Sequence, residues 1–548
     1  IESRQELMEK VTNKISRYYV DEEFDVNQNG EVYVLVNDKH TLRLTKGEYE
    51  NRQLLIKRIK EITLEQVIEE AAYTWFNRII AIRYMEIHDY LPLTKDNQSL
   101  GVRVLSSKDN TPDPEILKFI NLINPDLDID FKKEKYVELK DDNEKFKYVL
   151  LLVCKKLGRV IPQVFDGITD YIDILIPDNL LNDTGFITKL IKEVPEENYN
   201  QVEIIGWLYQ YWNIEEFNRI YDGDMSNRRI EPKDIPAATQ LFTPDWVVKY
   251  MVENSLGRYW LEHGGDESLI KNWTYFIKDN SLKRKEKISP NEIKCIDPCS
   301  GSGHILVYMF EVLYQIYLSY GYSKKDIAEE ILKNNIYGLD IDDRASQLSI
   351  LSVLLKAREY DKNIFNKDIS KNLYVMSIEK SINIESLIHA ISLSEESIRL
   401  CNYLNDKFKF SKEIGSLLIT NKIDYTKLNE ELDKNNTIFG YELQSKLKPL
   451  MKQAYILSNK YDIVVTNPPY MNKSKMSNNL SKYCDEHFKI AKGDMATAFY
   501  YDYLQNKVKD DGYLSMITTV SWMYIKTFEE LRRHMLKNYE STSIVDFV

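Results

Sequence analysis

The chain has 548 residues, 43% hydrophobic and 29% charged, the composition of an ordinary globular protein that is too long for one core and suits roughly two to four domains of about 150 residues. No apolar run approaches the ~18 residues of a membrane span and no signal peptide is recognisable, while a formal net charge of −12 argues against coating nucleic acid with the whole surface and leaves such contact to local basic segments. The five cysteines, at 154, 295, 299, 401 and 484, have neither zinc spacing nor the pairing of a disulfide framework, which points to a reducing cytosol, a cytoplasmic location and no metal.

Residues 1 to about 20 read as a helix. A hairpin is expected next, from Glu31 to Val36 after the Asn29-Gly30 turn and back from His40 to Leu44. From Leu54 to about Glu86 the apolar positions recur at helical spacing, and the aromatic stripe of Tyr73, Trp75 and Phe76 falls at core positions. Further helical patterns run from 114 to 221 and include Ile204-Ile205-Gly206-Trp207-Leu208-Tyr209. Residues 1–232 therefore read as a mainly helical domain with a small hairpin.

Residues 233–548 read as an α/β domain. In Phe242-Thr243-Pro244-Asp245, Thr243 is placed as a helix N-cap, Pro244 at the first helical position and Asp245 in the first turn, with the helix running to about Glu262. Its free first-turn amides suit a carboxylate. The basic loop Lys283-Arg284-Lys285-Glu286-Lys287 follows, a candidate nucleic-acid contact that reads more readily as a solvated loop. The pattern then switches to a strand ending in Asp297, the loop Pro298-Cys299-Ser300-Gly301-Ser302-Gly303, and an apolar helix from Ile305 to about Tyr320. Gly301 and Gly303 let the backbone turn tightly against a ligand, and Asp297 is an acceptor for a ligand ammonium. A phosphate loop would present amides without an acid so close, so a zwitterion fits better than a dinucleotide. A second strand, from 335 to 342, ends in Asp340 and Asp342, where a doubly wound sheet binds ribose hydroxyls; Asp340 is the first choice and Asp342 the runner-up. Residues 385 to about 455 are helical and polar, carry no chemical constellation, and read as an insertion between strands.

The stretch Tyr461 to Tyr470 is the centre of the pattern. A β-branched run, Ile463 to Val465, is stopped abruptly by Asn467-Pro468-Pro469-Tyr470. The Asn467 side-chain carbonyl and the Pro468 backbone carbonyl, stiffened by Pro469, form two adjacent acceptors for a planar amino group, and Tyr470 offers a face for a flat heterocycle. The guest is the exocyclic amine of a base, or an amide. Lys473, Lys475, Lys482, Lys489 and Lys492 follow as candidate nucleic-acid contacts. A turn and strand from 511 to 517, a helix with Arg532 and Arg533, and a strand from Ser543 are expected after them, and both chain ends read as cut from something longer.

The order FTP (242–244), DPCSGSG (297–303), GLDID (338–342) and NPPY (467–470) resembles the amino-group DNA methyltransferases of the gamma arrangement. The segments YTWFNR (73–78), IIGWLYQYW (204–212) and AATQLFTPDWVVKYMVENSLGRYW (237–260) are similar to the PglX adenine-specific DNA methyltransferases of bacterial BREX phage-defence systems. The resemblance implies a doubly wound, Rossmann-like methyltransferase fold and S-adenosylmethionine as methyl donor. It implies Asp297, Pro298, Ser300, Gly301 and Gly303 around the donor's methionine part, Thr243 and Pro244 near its carboxylate, Phe242 beside its adenine, and Asp340, with Asp342, at its ribose. Asn467, Pro468, Pro469 and Tyr470 would hold the N6 amine of an adenine extruded from the duplex. Extrusion costs a few kcal/mol, of which stacking on Tyr470 offsets ~1–3 kcal/mol.

The function so implied is site-specific DNA adenine N6-methylation, modifying host DNA within BREX, with double-stranded DNA and other BREX proteins as partners and no membrane. Sequence-reading elements of such enzymes are expected beyond Val548, and the acid near the donor's adenine is sought between Leu373 and Glu379. NPPY holds a glutamine amide equally well, so a protein glutamine methyltransferase stays open. A non-catalytic scaffold that binds DNA or a partner protein on the same fold stays open too.

Overall fold

A computed structural model describes residues 2–109, 111–121, 126–165, 171–221, 228–278, 282, 285–369, 373–381 and 384–546. The chain forms two compact units, one of residues 1–208 with 362–367 and the other of residues 209–361 with 368–548.

The first unit is built on helices. The long periodic stretch from Leu54 is two helices, Lys46–Glu61 and Leu64–Ile87, because the Thr63 hydroxyl accepts the Gln66 amide at 3.2 Å and starts a new helix. Tyr73, Trp75 and Phe76 are buried, as their core spacing requires, and the Trp75 indole donates to the Ile172 carbonyl at 3.2 Å. The expected hairpin is present as β2 (Val32–Val36) and β3 (Thr41–Thr45), with a third antiparallel strand, β1 (Asp25–Asn29), joined through the Asn29-Gly30 turn. Gly30 sits at φ +63° in that turn, a conformation that other L-residues rarely adopt.

The second unit holds a five-stranded sheet of β4 (Cys295–Asp297), β5 (Ile336–Asp340), β6 (Tyr374–Ser377), β7 (Tyr461–Thr466) and β8 (Val508–Met516), all parallel, in the order β6-β5-β4-β7-β8. The three inner strands β5, β4 and β7 are almost wholly buried because both faces are covered, whereas the edge strands β6 and β8 are partly exposed. Gly338 on β5 faces the helix His304–Tyr320, where a Cβ would meet Leu306 at 2.6 Å. Its neighbours Tyr337 and Leu339 point the other way, into a core shared with Leu443, Leu447 and Ala454 of the helix Ile438–Ser458. The α/β expectation holds at this level: a parallel sheet between helical layers.

The chain steps outward from β4 through β5 to β6, returns to β7 on the other side of β4, and continues to β8. Strand order therefore reverses between β4 and β7, and in open parallel sheets the crevice at the carboxyl ends of such strands is where ligands bind. Residues between β6 and β7 form the helices Glu385–Ala390, Glu395–Lys407, Ser411–Ile414, Thr426–Lys434 and Ile438–Ser458. The strand expected from Ser543 is not formed: residues 543–546 have no regular structure and Ile544 is 65% exposed, without the paired neighbour that would bury it. Phe547 and Val548, like Lys283 and Arg284 of the basic loop, lie outside the described residues. No helix among the described residues is long and apolar enough to cross a membrane.

Candidate active site

Three strand ends supply the polar groups of the crevice. Asp297 ends β4 and is 1% exposed. Its Oδ1 accepts the Thr466 hydroxyl at 2.7 Å and the Cys299 amide at 3.1 Å, whereas its Oδ2 is buried with no hydrogen-bond partner among the described residues. Burial, with the Asp340 carboxylate nearby, pushes the Asp297 carboxyl up to about 7. The Ser300 hydroxyl is likewise buried and unpartnered among the described residues.

The loop after β4 turns on two left-handed glycines, Gly301 at φ +52° and Gly303 at φ +90°. They are needed for different reasons. A Cβ on Gly303 would lie 2.8 Å from Ser349 Oγ and 2.9 Å from its Cα, so this glycine lets the loop close on the helix Asp343–Tyr360. A Cβ on Gly301 would meet nothing within 4 Å, and this glycine lines the open cleft. The Gly301 amide donates to Asp340 Oδ2 at 2.8 Å, tying the loop to the end of β5.

Asp340 also accepts the Asp342 amide on Oδ1 at 2.9 Å, and burial raises its carboxyl to about 6. Asp342 differs in kind. It N-caps the helix Asp343–Tyr360 by accepting the Arg344 amide at 3.0 Å, and it accepts the Tyr209 hydroxyl and the Arg344 guanidinium. Burial acts to raise its carboxyl, but these donors and the Arg344 charge hold it below the usual range. Asp340 keeps spare acceptor capacity towards the cleft, while Asp342 is largely engaged as a helix cap.

At the end of β7, the Asn467 amide is held at both ends: Nδ2 donates to Thr243 Oγ1 at 3.2 Å, and Oδ1 accepts the Tyr470 hydroxyl at 2.5 Å. Burial keeps the Tyr470 phenol protonated well above its ordinary range, so it remains a donor. Pro468 is buried, and its carbonyl accepts no hydrogen bond from the described residues. The two acceptors expected here are thus neighbours at a strand tip, one of them unengaged.

The crevice is a cleft partly open to solvent, with about 660 Å³ of space between its walls when the open solvent is counted. Pro298, Cys299, Gly301, Asp340, Asp342, Asn467 and Pro469 line it. Asp297, Ser300, Gly303, Pro468 and Tyr470 stand behind these residues rather than on the lining, Thr243 and Pro244 do not line it either, and Phe242 does not, its ring stacking on His304 at 5.0 Å. The helix after FTP begins at Asp245 with Pro244 as its cap residue, one position later than expected, so Thr243 caps nothing and its hydroxyl serves Asn467. His304 and Lys249 beside it hold the Asp245 carboxyl near 2.

Several lining residues carried no signal in the sequence. Tyr209 enters from the helix Ile204–Tyr221, Met495 and Phe499 from the helix Met495–Asp502, and Ile378 from just beyond β6. The segment read as an inert insertion contributes Gly415 and Ser416, and the Ser416 hydroxyl donates to the Pro298 carbonyl at 2.7 Å. Glu379, within the stretch searched for an acid, does not line the cleft. Of the basic residues after NPPY, Lys473 and Lys492 both pair with Asp485, at 2.5 and 2.8 Å. No group of three or more His, Cys, Asp or Glu side chains among the described residues is arranged to hold a metal ion.

Residues 334–548 match the family model described as Eco57I restriction-modification methylase. Over 528 residues the chain is 33% identical to the adenine-specific methyltransferase BrxX of Escherichia coli O9:H4 (strain HS), covering 89% of this chain and 43% of that protein. Over 540 residues it is 34% identical to the adenine-specific methyltransferase PglX of Lacticaseibacillus casei (strain Zhang), covering 90% of this chain and 44% of that protein. The chain thus spans less than half the length of these relatives. A solved DrdV–DNA complex aligns over 96% of this chain and 44% of its own at 13% identity, with a TM-score of 0.31.

Proposed function

Since the chain is a homologue, over about nine-tenths of its length, of proteins named adenine-specific methyltransferases, we propose that it belongs to an enzyme that transfers a methyl group to the N6 amine of an adenine in DNA. The observation that carries this reading is the pairing, at the tip of β7, of the Asn467 amide with the unengaged Pro468 carbonyl, beside the acid-lined ends of β4 and β5. Two acceptors suit an amine with two N–H bonds. They draw electron density out of the ring onto the nitrogen and favour the positive charge that develops there on attack, so no tuned general base is required first.

S-adenosylmethionine would supply an electrophilic methyl group on a sulfonium. The residues present fit it: the unpartnered Asp297 Oδ2 suits its ammonium, the raised carboxyls of Asp297 and Asp340 mark acids awaiting a cation or hydroxyl donors, and Gly301 leaves room for close approach. Asp340 would take the ribose hydroxyls. Ile341, Ile378 and Leu241 give the same cleft an apolar wall for a flat ring. In this reading residues 233–548 are a Rossmann-like methyltransferase domain that follows a helical domain, the substrate is an adenine extruded from duplex DNA, and the setting is cytoplasmic modification of host DNA within BREX.

Tritiated-methyl transfer to DNA by the full-length protein tests the proposal. Asn467→Ala is expected to lower turnover about 10²–10³-fold, the loss typical of removing one preorganised polar contact, with donor affinity little changed. Label that appears on protein glutamine and not on DNA would overturn the substrate assignment. Transfer by the Asn467→Ala protein at the normal rate would overturn the role of NPPY.

A further inference from the structure

Thr243 lies in a segment that by resemblance meets the donor's carboxylate, yet its hydroxyl is engaged elsewhere. It is 6% exposed, and Oγ1 accepts a hydrogen bond from Asn467 Nδ2 at 3.2 Å, across 224 positions of sequence. Gln240 and Leu241 line the cleft, and Thr243 does not.

The bond bears on how Asn467 meets its substrate. A carboxamide has one accepting and one donating end of nearly equal shape, so its partners decide which end faces a guest. A target amine brings only donors and needs Oδ1. An amide turned through 180° would set donor against donor. Without a target, the Tyr470 hydroxyl occupies one of the two acceptor positions on Oδ1. An incoming amine uses the other or displaces the phenol, so the fixed contact throughout is the one from Nδ2 to Thr243. Thr243 is buried and the bond itself partly so, which reduces competition from water and makes the geometry firmer than the same bond at a surface.

We propose that Thr243 is a positioning residue for methyl transfer, its hydroxyl holding Asn467 Nδ2 so that Oδ1 is presented to the target amine. This rests on the reading of Asn467 as an acceptor for that amine. The role is distinct from donor binding: it acts on the transfer step and leaves capture of S-adenosylmethionine unchanged.

The test uses the full-length protein with Thr243→Val, which deletes the hydroxyl at nearly constant shape, and Thr243→Ser, which keeps it. Turnover on DNA, the calorimetric Kd for S-adenosylmethionine, and the side-chain amide resonance of Asn467 in asparagine-labelled protein, assigned by its loss in Asn467→Asp, are compared. For Thr243→Val, kcat is expected to fall about 10- to 100-fold with Kd within about twofold and the amide resonance shifted, while Thr243→Ser returns all three close to normal. A Kd weakened about tenfold at unaltered kcat would instead assign Thr243 to the donor's carboxylate, and equal losses in both variants would make it a packing residue. If the unaltered protein transfers no methyl to DNA, the reading of the active site fails; the resonance still decides the hydrogen bond, and an unshifted Asn467 amide in Thr243→Val overturns the proposal by itself.

Discussion

Each unit buries a carboxylate completely, and the two are satisfied to opposite degrees. In the first unit Glu86 has both oxygens filled: Oε2 accepts the amides of Val104 at 2.8 Å and Leu105 at 2.7 Å, and Oε1 accepts the Ser106 hydroxyl and the Arg83 guanidinium, each at 2.8 Å. In the second unit Asp297 receives two donors, both on one oxygen, and its other oxygen has none among the described residues. A carboxylate has about four acceptor positions. Glu86 fills them from within its own unit and fastens residues 104–106 to the helix Leu64–Ile87. Asp297 leaves half of them for something else, and its two donors do not offset the burial that raises its carboxyl. Burial is common to both acids; what separates them is the acceptor capacity that Asp297 leaves unused at the end of β4.

The largest effect that sharpens this contrast is on stability. Glu86→Ala takes from Arg83, itself 0% exposed, its 2.8 Å carboxylate partner, leaves it the half-buried Glu196 at 3.5 Å, and strands two backbone amides, so the first unit is expected to lose ~3–5 kcal/mol, read as a lower urea midpoint. Asp297→Asn removes a buried charge that lacked half its donors, and at pH 8 the midpoint is expected to stay or rise. Equal losses in the two variants would erase the distinction. The next effect is on binding. Asp297→Asn is expected to weaken S-adenosylmethionine by ~1.5–3 kcal/mol, the usual worth of a hydrogen bond to a charged group, whereas Glu86→Gln leaves donor affinity unchanged.

How far each acid was legible follows the same division. The acids of the second unit stand directly after short apolar strands, so Asp297 and Asp340 announce themselves by position, as does the Asn467 that stops β7. The resemblance to the PglX proteins, read from YTWFNR, IIGWLYQYW and AATQLFTPDWVVKYMVENSLGRYW, is matched by a relative of that name. What local pattern cannot carry is a bond made across the fold. Thr243 had the look of a cap because Thr-Pro-Asp is a common helix start, yet its partner is Asn467. Ser416 sits in a segment whose polar, helical pattern says nothing of the Pro298 carbonyl it meets. Strand β1, all exposed and reading Asp-Val-Asn-Gln-Asn, has no alternation to reveal it. Glu86 is the same case inverted, a charged residue on a core helix whose donors lie about twenty residues on.

The smallest expected effect is the dependence of donor binding on pH, and its sign follows from the direction of the shifts. The Asp297 and Asp340 carboxyls are raised by burial to about 7 and about 6, so in the free protein each holds its proton well above the usual carboxylate range. An ammonium on Asp297 Oδ2 needs the carboxylate, so binding expels that proton, and affinity must fall as pH drops through 7. One group with a free value near 7 weakens binding on the order of tenfold between pH 7.5 and 6, and Asp340 adds about a further factor of two by pH 6. Calorimetry in buffers of different ionisation enthalpy should register the proton as released at pH 6 and retained by neither state above pH 8. Stability of the unliganded unit runs the other way. A raised carboxyl contributes stability that is fully present below its unfolded value near 3.9 and is lost as pH climbs through the folded value, so the unliganded second unit should weaken from about pH 4 to 7 over the range where its affinity for the donor grows. Asp297→Asn should flatten most of both slopes. Binding that is independent of pH between 6 and 7.5, with no proton released, would mean that Asp297 meets no cation and that its unused oxygen has another purpose.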